Sequence, residues 1–280
     1  MKPSFLAFFL GILISSVTQG QFLNPPETEN YDHYQKFSSE FIREKGIEEL
    51  MVNHFIKPDG KKIQNLSSQE KYVFDKKGRL ISYVRISKKT DTLITSYRFV
   101  SDRLNCEINS EGSGIYNYCY TYGPDGLPSS IKYGTNDDSG YIKTEDLKHK
   151  NYGNQLHTTI YNTSGRPFIK EFRYMDESNR LVKWRQSYVM TRKTQEEEYT
   201  YDSKGRFNSK RFILNGINME TVLNYDEKGR ISEYRFFRNN ELAERKEVVY
   251  RDTGLIDAEL TRDEKKGSIE IARYEYRLRY

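Results

Sequence analysis

Two cysteines, one tryptophan and four histidines are spread over 280 residues, and no long apolar run follows residue 20. Each scarcity removes a class of protein. Two cysteines cannot make a disulfide-dense scaffold and leave no second pair for a structural zinc site. His33, His54, His149 and His157 lie apart without H-E-x-x-H spacing, and no G-x-S-x-G elbow, P-loop or G-x-G-x-x-G is present. The sequence therefore offers no catalytic residue, cofactor or metal ligand, and a non-enzyme is expected. Without an apolar run of about 20 residues, the chain beyond its start has no membrane-spanning helix. Charge of one sign is also lacking: 45 basic and 40 acidic residues leave a net +5, alternating along nearly every segment. Nucleic-acid binding would concentrate the basic residues in one stripe, so no nucleic-acid partner is expected.

What is present begins with an export signal. Lys2, an apolar run at 5–17 and Thr18-Gln19-Gly20 read as a signal peptide over residues 1–20, leaving Gln21 as the mature terminus. The destination is periplasmic, cell-surface or secreted. Mean hydropathy is −0.85, yet 23 Tyr and 15 Phe argue against disorder and suit thin sheets covered by amphipathic side chains.

The aromatics recur in register. Tyr201-Asp202-Ser203-Lys204-Gly205-Arg206-Phe207, Tyr225-Asp226-Glu227-Lys228-Gly229-Arg230-Ile231 and Phe74-Asp75-Lys76-Lys77-Gly78-Arg79-Leu80 are the clearest copies. Opening aromatics at Phe74, Phe99, Tyr122, Tyr152, Tyr174, Tyr201, Tyr225, Tyr250 and Tyr276 stand 22 to 30 residues apart. The Asp caps a type I turn, the Gly takes the left-handed conformation that closes a hairpin, and the flanks alternate as strands do. A second turn, such as Asn215-Gly216, divides each unit into two antiparallel strands. The expected fold is all-β: a meander of about 16–18 short strands in two-strand repeats of ~25 residues. Its expected form is an open coiled sheet, a solenoid or a shell, with barrel closure as a further way to wrap. Residues 21–30 form a Pro-rich leader, 31–50 a helical cap and 51–280 the repeat domain. Asn30 is the expected N-cap of a helix whose apolar face is Tyr34, Phe37, Phe41 and Ile42.

These Tyr-Asp-x-x-Gly-Arg copies resemble the YD repeat of Rhs and teneurin-type proteins, and the array is similar to the MORN-like (YwqK-type) repeats of exported bacterial proteins. The resemblance covers about residues 55–280, with three close copies. It implies a β-strand wall. The family's enclosing of a cargo domain does not carry over, because the chain has too few repeats and no toxin-like C-terminal domain.

If Gly112-Ser113 is a two-residue hairpin loop, residues pair when their numbers sum to 225, which sets Cys106 opposite Cys119. A cross-strand disulfide is expected, in keeping with export. Asn136-Asp137-Asp138-Ser139-Gly140 reads as a polar turn, since it lacks the ligand spacing of a calcium loop. In Glu196-Glu197-Glu198 alternate carboxylates point to opposite faces of a strand. Candidate ligand contacts are the ladder Tyr116, Tyr118, Tyr120 and Tyr122, with Arg173, Trp184 and Arg185. The expected function is a non-catalytic binding or scaffold module for a glycan or an exported protein partner. The alternatives are an outer-membrane β-barrel, suggested by the terminal Tyr274-x-Tyr276-x-Leu278-x-Tyr280 alternation, and then a hydrolase.

Overall fold

A computed structural model describes residues 22–26, 35–87, 92–112, 114–135, 141–214, 216–263 and 265–279. The expected signal peptide at 1–20, Asn30, Tyr34, the expected polar turn at 136–140 and Tyr280 lie outside the described residues. A short helix, α1 (Ser39–Glu44), precedes eighteen strands. The first six are β1 (Ile47–Pro58), β2 (Gln64–Phe74), β3 (Leu80–Ser87), β4 (Leu93–Val100), β5 (Arg103–Glu111) and β6 (Gly114–Tyr122). Then come β7 (Pro128–Thr135), β8 (Tyr141–Asn151), β9 (Gln155–Tyr161), β10 (Pro167–Met175), β11 (Leu181–Tyr188) and β12 (Thr194–Tyr201). The last are β13 (Phe207–Leu214), β14 (Ile217–Tyr225), β15 (Ile231–Arg238), β16 (Glu241–Tyr250), β17 (Ile256–Asp263) and β18 (Ser268–Leu278).

Every strand pairs antiparallel with its sequence neighbours, and β1 pairs with β18 from Ile47 opposite Leu278 to Pro58 opposite Ser268. The sheet is therefore a closed 18-stranded up-and-down barrel. This corrects the expected open sheet, solenoid or shell: the two edges of the meander satisfy each other's backbone groups, so no edge remains to be capped.

The repeat motif builds one end of this barrel. In the 202–206 turn, Asp202 Oδ1 accepts the backbone N–H of Lys204 and of Arg206, each at 2.9 Å, while Oδ2 accepts Arg206 Nε at 2.8 Å. The same Asp–Arg pairing recurs at 75–79, 176–180 and 226–230. Each Arg then lies over the opening aromatic of the next repeat: Arg180 over Tyr201, Arg206 over Tyr225 and Arg230 over Tyr250, at 4.1–4.5 Å. Each of those tyrosines donates its hydroxyl back to the carbonyl that opens the preceding hairpin strand: Tyr201 to Leu181, Tyr225 to Phe207 and Tyr250 to Ile231. In the fifth unit Met175, not Tyr174, stands before the Asp and faces Leu181, the place that Tyr201 and Tyr225 take opposite Phe207 and Ile231.

The N-terminal segment is seated in this motif end. Ser38, rather than Asn30, caps the described helix, its hydroxyl accepting the Phe41 N–H at 3.3 Å. Phe22, Phe37, Phe41 and Ile42 are buried against the inner wall, with Phe37 edge-on to Tyr72 at 5.0 Å and Phe22 edge-on to Tyr276 at 6.0 Å. Gly78 has φ +80°, and a Cβ there would fall 1.9 Å from the Ser39 carbonyl oxygen, so the turn admits the helix only as glycine. Arg279 fastens the closing seam: its backbone N–H meets the Gly46 carbonyl at 2.7 Å, and its guanidinium donates to the carbonyls of Phe74 and Asp75.

Candidate functional site

Strand alternation sends one set of residues into the barrel and the other outward. The inner wall joins aromatics to buried carboxylates, each met by a cation or a hydroxyl. Glu197 accepts the Tyr199 hydroxyl at 2.5 Å and Lys210 Nζ at 2.7 Å. Tyr133 donates to Glu145 at 2.8 Å, and burial, reinforced by that carboxylate, raises the phenol well above its usual value. Glu171 takes Gln186 Nε2 at 3.0 Å and Arg173 Nη2 at 3.2 Å.

A fourth cluster lies beneath the N-terminal segment. Burial pushes the Glu70 carboxyl up, but the bond from His54, the field of Lys36 and the Tyr72 hydroxyl together hold it down at about 2. Glu259 sits three strands away, buried, and Lys36 and Lys246 likewise overcome its desolvation and lower its pKa. Lys36, carried by the N-terminal segment, thus supplies positive charge to two buried carboxylates at once.

The candidate contacts are only partly brought together. Tyr116, Tyr118, Tyr120 and Tyr122 share the inner face of β6, with Tyr118 edge-on to Tyr133 at 5.2 Å and the Tyr122 hydroxyl on the Leu104 carbonyl at 2.6 Å. Arg173 and Trp184 are opposed across β10 and β11 on the inner wall. Trp184 is 5% exposed, and its Nε1 has no hydrogen-bond acceptor among the described residues. Arg185 stands on the outer wall between Phe172 and Glu196, so it leaves the set. Glu70, Glu145, Glu171 and Glu259 carry no motif that marks them. Glu197 alone has a signal, the alternation that turns it inward while Glu196 and Glu198 face out and are exposed. The disulfide joins Cys106 to Cys119, with Cα atoms 4.1 Å apart, on the outer wall. Among the described residues no group of three or more His, Cys, Asp and Glu could hold a metal ion.

Closed topology with a compensated polar interior defines the class: an up-and-down antiparallel β-barrel. No family model matches the chain, and no curated protein does. Among solved structures it is similar to a porin-like protein from Bacteroides uniformis, 10% identical with a TM-score of 0.41, over 82% of this chain and 98% of that one. A porin-like protein from Bacteroides vulgatus is 12% identical with a TM-score of 0.30, over 80% and 97%. A LolA superfamily protein from Nitrosomonas europaea is 12% identical with a TM-score of 0.20, over 87% and 94%. The assignment of barrel class rests on the strand pairings themselves.

Proposed function

We propose that the chain is an exported β-barrel of the cell envelope whose outer wall stands in water and whose inner wall receives a ligand. The observation that supports the water-facing wall is its charge. Arg98, Lys132, Lys170, Arg185, Arg211, Arg235 and Arg273 all point outward from strands and are exposed, beside Glu196 and Glu198. A lipid-facing barrel needs a continuous apolar belt, and each Arg or Lys at the bilayer midplane costs ~2–4 kcal/mol. Arg185, Arg211, Arg235 and Arg273, near the middle of their strands, would together impose a penalty on the order of 10 kcal/mol.

The ligand class we propose is a glycan. Tyrosine faces and hydroxyls, with the unmet Trp184 indole N–H beside Arg173, suit a polyhydroxylated molecule rich in acceptor oxygens. The wall itself is read as YD-type repeats used as barrel staves.

A second reading, an outer-membrane barrel, is favoured by the closed, even-stranded antiparallel topology. Expression without detergent separates the two. A monodisperse β-rich species in buffer supports the water-facing wall. Recovery only in detergent, with heat-modifiable gel migration, establishes the membrane barrel instead. A glycan array probed with the soluble protein and with Trp184→Phe tests the ligand class, and binding is expected to drop at least tenfold in the variant.

A further inference from the structure

The two ends of the barrel differ. The motif end holds the N-terminal segment, whereas most of the large apolar side chains left exposed among the described residues gather at the opposite rim. Ile63 on the β1–β2 hairpin is 58% exposed, Met190 on the β11–β12 hairpin 87% and Ile213 on the next hairpin 66%. Ile86 and Ile94 flank the hairpin that follows β3. Apolar tips left exposed on one rim are suited to meet an apolar phase.

Cations accompany the two most prominent tips. Lys61 and Lys62 precede Ile63, and Arg192 and Lys193 follow Met190; all four are exposed. None of the four is ion-paired among the described residues. The nearby acids of the first tip are already engaged: Asp59 by Arg262 at 3.7 Å and Asp263 by Lys266 at 3.0 Å. Glu111 and Glu241 stand on other hairpins. Around the ring, the β1–β2 and β11–β12 hairpins lie about half-way round from each other.

We propose that this rim docks end-on onto an anionic lipid surface, with the two basic-apolar tips as opposed footholds. The inference rests on the water-facing wall proposed above. Apolar tips entering the headgroup layer and cations attracted to anionic lipid are the two elements of reversible surface binding. The charge also decides against a second copy as occupant, since two such rims face to face would oppose like charges. Neither tip would span the bilayer, so the barrel would sit on the membrane with its motif end held away.

The test is co-sedimentation of the full exported chain with vesicles of phosphatidylcholine alone and of phosphatidylcholine with about one third phosphatidylglycerol. Binding to the anionic vesicles is expected, weakening with salt. It should fall roughly fivefold for each cation neutralised in Lys61→Gln and Lys193→Gln, and roughly tenfold in Met190→Asp. All three changes lie on exposed tips, and circular dichroism will show that the barrel stays folded. A soluble chain that ignores anionic vesicles, or binds both kinds equally, overturns the docking and leaves the water-facing wall standing. A chain that partitions into vesicles regardless of the rim variants and resists alkaline extraction overturns both. A rim-dependent dimer seen by light scattering, without vesicle binding, makes a second copy the occupant and overturns the lipid surface.

Discussion

Asp226 joins three functions in one side chain: it caps its turn, fixes the Arg230 fork and, through that fork, settles the face of Tyr250. Asp226→Ala is expected to cost ~1–3 kcal/mol, read as a lower urea midpoint, because charge-assisted bonds are lost together. At Asp176, Asp202 and Asp226 partial burial pushes the carboxyl up, and hydrogen bonds from the paired Arg, side chain and backbone, outweigh it and lower the pKa. A depressed carboxyl contributes its full stability above the unfolded value of ~3.9 and loses it as pH falls through the folded one. Stability is therefore expected to hold from about pH 7 to about pH 4 and to decline below, as checked by urea titrations at fixed pH. The disulfide closes a short loop on the outer wall, and the Cys106→Ser, Cys119→Ser pair is expected to lower stability by ~2–3 kcal/mol in thermal melts.

At the scale of elements, the N-terminal segment works as a charged wedge as well as an apolar one. Lys36→Met would leave Glu70 and Glu259 with less compensation, raising both carboxyls. The variant is expected to be less stable than the parent at neutral pH, with the deficit shrinking as pH falls and the carboxylates protonate. Urea midpoints between about pH 3 and about pH 7 check the slope. Gly78→Ala should release α1 from its seat, seen as proteolytic cleavage near Ser39 with the strands intact. The hairpins are legible in the sequence because Asp-x-x-Gly-Arg specifies a turn through contacts within five residues. The Cys106–Cys119 pairing is legible for the same reason, as a register counted out from a tight loop. The helix start is less so: Ser38 and Asn30 are both competent caps, and only the packing of Phe37 and Phe41 against Tyr72 and Gly254 selects the later one. Buried carboxylates escape local reading because each takes at least one partner from another strand, as Glu197 takes Lys210, Glu171 takes Gln186 and Glu145 takes Tyr133.

For the whole molecule, closure is the property no local pattern announces. β1 and β18 alternate like any other pair of strands, and what joins them is the accumulated twist and coil of the sixteen between. Arg279, through its contacts at Gly46, Phe74 and Asp75, is the clasp, and Arg279→Ala is expected to cost ~1–3 kcal/mol and to raise hydrogen exchange first along β1 and β18.

Such a seam has a cost in time. Seventeen of the strand pairings join neighbours in sequence and can zip as they emerge, but the last joins residues more than 200 positions apart, such as Asn53 with Arg273. A chain delivered N-terminus first presents the unpaired edge of β1 until β18 arrives, and that edge is a template for any passing strand. Folding of this barrel is thus a race between its final hairpin and aggregation, and an escort that shields one strand edge would raise the yield.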